Sequence, residues 1–280
     1  MTSSYILSFT TFAYCAAAVF FWAYWAFRKN GAATIGMVMS IAGFIANTWG
    51  IGMRWYESYE MGFGQPPFAN MFDSLVLFSW TVVLLQLVIQ ARYRMRSLGG
   101  VTTPLAFLSL AYASLSSNVD DTIAPLIPAL QSNWLTAHVI TCFLGYAAFA
   151  VAFGISLLYL VKASGRDGGE GRVRSLLPKA RILDELSYQN IMFGFLFLSV
   201  GIITGAVWAN SAWGRYWSWD PKETWSLITW LIYATLIHFR LMRGWAGRRT
   251  AVLSIVGFAA ILFTWFGVNY LLSGLHSYAT

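Results

Sequence analysis

Eight stretches of this chain are apolar for about 20 residues each, enough to cross about 30 Å of hydrocarbon at about 1.5 Å per helical residue. They fall near 5–27, 33–53, 71–91, 99–117, 134–162, 188–209, 225–243 and 250–273. Nothing else in the sequence constrains the fold as strongly. In hydrocarbon every backbone N–H and C=O must find a partner inside the protein, so spans of this length are helices. The expected fold class is an all-α integral membrane protein, a polytopic bundle of about eight transmembrane helices forming a single membrane domain over 1–280. The fourth span is the weakest, because Pro104 and several serines dilute it. Composition agrees: a chain of 280 residues that is 58% hydrophobic and 10% charged, with mean hydropathy +0.60, cannot hide its apolar surface in one soluble core.

Orientation follows from the tendency of Lys and Arg to stay on the cytoplasmic side. An outer N-terminus puts fifteen of the eighteen basic residues inside, leaving Arg54, Arg215 and Lys222 outside. Both termini are therefore expected on the outer, extracytoplasmic side. The net charge of +7 reads as a topology signal, and no nucleic-acid partner is expected. The opening MTSSY has no basic residue before the first apolar run and does not resemble a cleavable signal peptide. Cys15 and Cys142 both fall in spans, form no CxxC pair, and read as packing residues. The longest inner connection, 163–187, is Gly-rich and basic in its first half and is expected to form a short surface helix after Pro178.

The outer loop at 208–224 concentrates aromatic surface, and WGRYWSWDPKETW, residues 213–225, runs from it into the first residue of span seven. Asp220, Pro221 and Glu223 have the pattern of a helix start: an acidic N-cap, Pro at the first helical position and an acid at the third. DPKE therefore begins span seven, and capping alone accounts for both acids. Trp213, Trp217 and Trp219 could be members of an interfacial belt, but a belt scatters its anchors over many helices. Here Trp208, Trp213, Trp217, Trp219, Trp225 and Trp230 lie within twenty-three residues. Such density suits a large flat apolar ligand such as a porphyrin, with Arg215 and Lys222 as partners for its carboxylates.

The three histidines have distinct places. His138, one turn from Trp134, and His276, just past span eight, flank the same outer face. Each alone reads as an interfacial imidazole; as a pair with aromatic surface between them they suit axial ligation of one haem iron. His238 is thirteen residues into span seven, about 20 Å deep. An ionisable group there is costly unless it pairs or binds, although a neutral imidazole bonded across helices or reaching the interface near Arg240 is the alternative. With no second buried histidine, a haem ligated by His238 needs its other ligand from another subunit or from a residue such as Met.

WGRYWSWDPKETWSLITW resembles the tryptophan-rich WWD signature of the haem-handling superfamily of cytochrome c maturation. Its DPKETW ending is most similar to the CcsA/ResC family of System II. GQPPFANMFDS, NWLTAHV, LIHFR and GLHSY resemble further segments of that family, so the likeness covers most of the chain. The resemblance implies a cytochrome c synthase subunit acting with a CcsB/ResB-type membrane subunit, membrane lipid and a thiol-reducing thioredoxin-like protein. Haem b would be the bound substrate and the CxxCH of apocytochrome c its acceptor. It further implies that His138 and His276 hold an outer haem and that His238 supplies one iron ligand of an inner site. Trp213, Trp217, Trp219 and Asp220 would form the presenting platform, with Trp208, Trp225 and Arg215 around the haem. The implied location is a bacterial cytoplasmic membrane, or a thylakoid membrane, with the active face extracytoplasmic. Three other readings stay open: a haem transporter without lyase chemistry, a membrane electron-transfer cytochrome, and a structural subunit with an aromatic belt.

Overall fold

A computed structural model describes residues 2–68, 70–126, 128–164 and 171–272. Eight of its helices are long and apolar enough to cross a membrane. They are α1 (Ser3–Phe27), α2 (Asn30–Glu60), α3 (Met71–Tyr93), α4 (Gly99–Leu115, preceded by a 3₁₀ turn at Arg96–Leu98), α5 (Asn133–Ala163), α6 (Ala180–Trp213), α7 (Pro221–Arg243) and α8 (Arg248–Leu262). The last continues through a π-helical turn, Phe263–Gly267, into α9 (Val268–Leu271). Pro104 sits inside α4 without ending it. The short surface helix expected after Pro178 is absent as a separate element: α6 begins at Ala180 and runs unbroken into span six. At its other end α6 runs on to Trp213, so the tryptophan-rich connection shortens to 214–220.

The helices pack as two compact units, residues 1–126 with 164–179, and residues 127–163 with 180–280. In the first unit α2 carries a seven-residue repeat of glycines, Gly36, Gly43 and Gly50. Each lies against a large residue of the antiparallel α1: Phe21, Tyr14 and Leu7 respectively, all fully buried. The missing side chains let these knobs reach the α2 backbone, the small-residue packing that replaces a hydrophobic driving force in lipid. A second heptad on α2, Ser40, Asn47 and Arg54, turns polar groups toward α3. Asn47 donates to Ser79 Oγ at 2.8 Å, Gln86 to Ser40 Oγ at 3.5 Å, and Arg54 pairs with Asp73 at 2.5 Å. These three rungs fix the α2–α3 register, because a slip would leave several polar groups unpaired in an apolar interior.

The second unit is built on α5 and α6, which approach closely through glycines. A Cβ on Gly145 would meet the α6 backbone at Leu198 N, 3.1 Å away, and one on Gly201 would meet Cys142 Sγ at 2.6 Å. Tyr233 of α7 stacks on Phe149 of α5 with centroids 3.6 Å apart, and both are fully buried. At the opposite end from the tryptophan loop, Arg240 bonds Asp184 at 2.9 Å and Glu185 at 3.2 Å and lies over the Tyr188 ring.

Candidate haem site

His138 is half-buried in the second turn of α5 and faces the glycine stripe of α6. Its Nδ1 lies 2.7 Å from the carbonyl oxygen of Gly201, and a Cβ on Gly205 would come within 2.6 Å of the same nitrogen. The two glycines therefore form a shelf. Gly201 offers its carbonyl, and Gly205, one turn on, has no side chain to block the approach. A carbonyl can only accept, so Nδ1 carries the proton and the lone pair of the neutral ring resides on Nε2. That tautomer presents Nε2 to a metal, and a backbone carbonyl on the other nitrogen is the usual way of fixing it.

The ring stacks on the buried Trp208 of α6 with centroids 6.1 Å apart and planes 16° apart. Trp208 in turn meets Trp213 edge-on at 4.9 Å. The aromatic surface thus continues from the imidazole up the last turns of α6 to the loop. Within the loop Trp217 and Trp219 meet edge-on at 5.7 Å. Trp219 is 69% exposed and has φ of +60°, a left-handed backbone that a bulky residue adopts at a cost. Trp217 Nε1 is buried and has no hydrogen-bond partner among the described residues, and the Arg215 side chain is exposed. A buried indole N–H without an acceptor and an exposed guanidinium are donors suited to carboxylates, which a haem carries as its propionates.

Asp220 closes the loop as the N-cap of α7. Its carboxylate accepts from Lys222 N at 3.1 Å, while Glu223 accepts from Asp220 N at 3.2 Å and Ser218 N at 2.7 Å, completing a capping box. Asp220 is buried, so its position is that of a junction rather than of exposed platform surface. Lys222 Nζ donates to Asn269 Oδ1 of α9 at 3.0 Å. Trp225 packs on Phe263 at 4.2 Å, and Trp230 donates to Ser199 Oγ at 2.9 Å, so Trp230 joins helices rather than the loop.

His238 is exposed on α7. Because α7 starts at Pro221, the residue lies about 26 Å along it, deeper than the sequence suggested. His276 lies outside the described residues.

The sequence profile of the cytochrome C assembly protein family matches residues 68–276, spanning α3 through α9. The chain belongs to that family. Within it the CcsA branch is shown by relatives, each described as cytochrome c biogenesis protein CcsA. The protein of Guillardia theta is 38% identical over 261 residues, covering 87% of this chain and 85% of its own. Those of Parasynechococcus marenigrum and Prochlorococcus marinus strain NATL1A are 38% and 41% identical, covering 91% and 81% of this chain and 90% and 79% of their own. Among solved structures, one described as cytochrome c heme lyase CcmF superposes with a TM-score of 0.74 at 16% identity, over 95% of this chain and 47% of that chain. At that identity the likeness is one of fold, and this chain spans about half the length of the larger protein.

Sequence reasoning missed the shelf under His138. The signal was present as GIITG, residues 201–205, a small-x-x-x-small motif of the kind that lets two membrane helices touch backbones. It also missed the Arg54–Asp73 pair, having read Arg54 only as an outer charge.

Proposed function

We propose that this CcsA-family chain is the haem-handling subunit of a System II cytochrome c synthase. It accepts haem b as a bound substrate, exports it, and presents it at the extracytoplasmic face for thioether attachment to the CxxCH of apocytochrome c. The observation that carries this reading is the His138 ring, held by Gly201 in the metal-presenting tautomer against the Trp208–Trp213 aromatic run. His276 is the second outer ligand in this proposal. Trp213, Trp217 and Trp219 form the platform, with Trp208 and Trp225 beneath it, and Arg215 and Trp217 Nε1 take the propionates. Asp220 holds the junction from which the platform hangs.

Each attachment adds a cysteine S–H across a vinyl C=C: the sulfur bonds one vinyl carbon and the hydrogen goes to the other, with no oxidant consumed. The nucleophile belongs to the acceptor, and Cys142 is buried. The role of this chain is orientation, holding the haem edge where both thiols reach near-attack geometry, and keeping the iron ligated until the acceptor's histidine replaces one ligand. The acceptor thiols must arrive reduced, the task of a thioredoxin-like partner. The inner site pairs the exposed His238 with a ligand from a CcsB/ResB-type subunit, since a metal-bound histidine on an outward helix face needs its partner from outside the chain. The setting proposed is a bacterial cytoplasmic membrane or a thylakoid membrane.

Reconstitution with the partner subunit, haem, a reductant and a CxxCH apocytochrome tests the reading. Thioether product is expected, with His138→Ala and His276→Ala depleting the outer haem spectrum and His238→Ala the inner one. Haem loading without thioether product would reduce the role to haem delivery. Unchanged spectra in all three variants would remove the site assignment.

A further inference from the structure

The end of the first unit where α1 finishes and α2 begins holds a cavity of about 360 Å³, remote in sequence from every residue of the haem site. Its walls differ. One, from α1 and α2, is apolar, made by Phe21, Ala33 and Met37; the other, from α3 and the turn after it, is the polar one and carries Gln90, Arg94 and Arg96 beside Ala91. Ala33 and Met37 lie about 5 and about 10 Å into α2, so the cavity runs from the level of the helix ends into the span.

The polar wall is preset by the backbone. Arg94 caps α3 in the left-handed region, φ 52°, and the chain turns so that Arg96 N donates to Arg94 O at 3.2 Å. Arg94 and Arg96 are both exposed residues and both line the cavity. Gln90 is buried, 5% exposed, and its amide orientation is set by donation from Nε2 to Arg96 O at 3.4 Å. That leaves Gln90 Oε1 buried and without a donor among the described residues, an arrangement that is unfavourable unless a ligand supplies one.

We propose that this cavity binds an anionic phospholipid whose headgroup carries a hydroxyl, of the phosphatidylglycerol type. Two guanidinium groups match the oxygens of a phosphodiester, and basic pockets between membrane helices are a recurrent way of holding acidic headgroups. The apolar wall takes the start of an acyl chain, and Gln90 Oε1 accepts from the headgroup hydroxyl. Free phosphate would leave the apolar wall unused. A choline headgroup has no donor for Gln90 and no net charge for the arginines.

Native mass spectrometry of the purified full-length chain, delipidated and then titrated with defined lipids, tests this. Retention of phosphatidylglycerol about tenfold above phosphatidylcholine is expected, falling about tenfold in the Arg94→Gln/Arg96→Gln variant. Arg92→Gln, whose guanidinium lies over Tyr93 and does not line the cavity, is expected to bind as wild type. Gln90→Leu is expected to equalise phosphatidylglycerol and the hydroxyl-free phosphatidylmethanol while leaving both above phosphatidylcholine. Equal retention of phosphatidylglycerol and phosphatidylcholine by the wild-type chain would overturn the proposal without recourse to any variant. So would full displacement of the lipid by millimolar inorganic phosphate, which would mark a free-anion site.

Discussion

His138 Nδ1 rests 2.7 Å from the carbonyl oxygen of Gly201, across a lane opened by the absent side chain of Gly205. A methyl group at 205 must push the imidazole off that carbonyl. Gly205→Ala is therefore expected to weaken outer haem retention about 10- to 100-fold, the usual effect of losing the group that orients a histidine ligand. Gly52→Ala, where a Cβ meets nothing within 4 Å, is the control. Haem titration followed by absorbance reads both, and equal affinities would refute the shelf.

Trp219 stores backbone strain while exposing its ring. Trp219→Gly should relieve about 1–2 kcal/mol of left-handed cost, less what glycine loses in entropy, so thermal stability is unchanged or slightly raised. Thioether yield should fall nonetheless. Trp219→Phe keeps an aromatic ring and should retain most of the yield. A parallel loss of stability and yield in the glycine variant would mean that the ring serves packing alone.

Asp220 caps α7 through an acceptor oxygen, which asparagine also has. Asp220→Ala should cost about 1 kcal/mol, whereas Asp220→Asn should stay within a few tenths. If Asn also preserves thioether yield, the carboxylate's charge has no part in the chemistry. A large loss of yield in the Asn variant at full stability would instead assign Asp220 a proton-transfer role.

Arg54 and Asp73 are paired with side chains 4% and 5% exposed. Asp73→Ala strands a buried guanidinium, although Arg54 also donates to Asp121 O at 2.8 Å, and should cost about 3–5 kcal/mol. The double replacement Arg54→Met/Asp73→Leu should lie closer to wild type, since it removes both charges. Thermal unfolding of the two variants side by side makes the comparison; a double variant less stable than Asp73→Ala would show that the other Arg54 contacts dominate.

Much of the fold was legible because membrane helices must satisfy their own backbones, so length and hydropathy alone mark them. The capping pattern of DPKE was equally plain, since a cap is made by neighbours in sequence. The ends were not. Polar and aromatic residues such as those at 180–187 and 208–213 dilute hydropathy, yet helical hydrogen bonding continues through them into α6.

The sequence by itself determined that eight helices form, that α7 starts at Pro221, and that three histidines and a tryptophan-rich loop mark a CcsA-type chain. Tertiary structure alone decided which neighbours those residues meet. The shelf under His138 comes from a helix 63 residues away, and the exposure of His238 depends on which face of α7 packs inward. The shelf arises from side-chain-free surface on glycine. A glycine's local sequence tells that something can come close; only the packed helices tell what does.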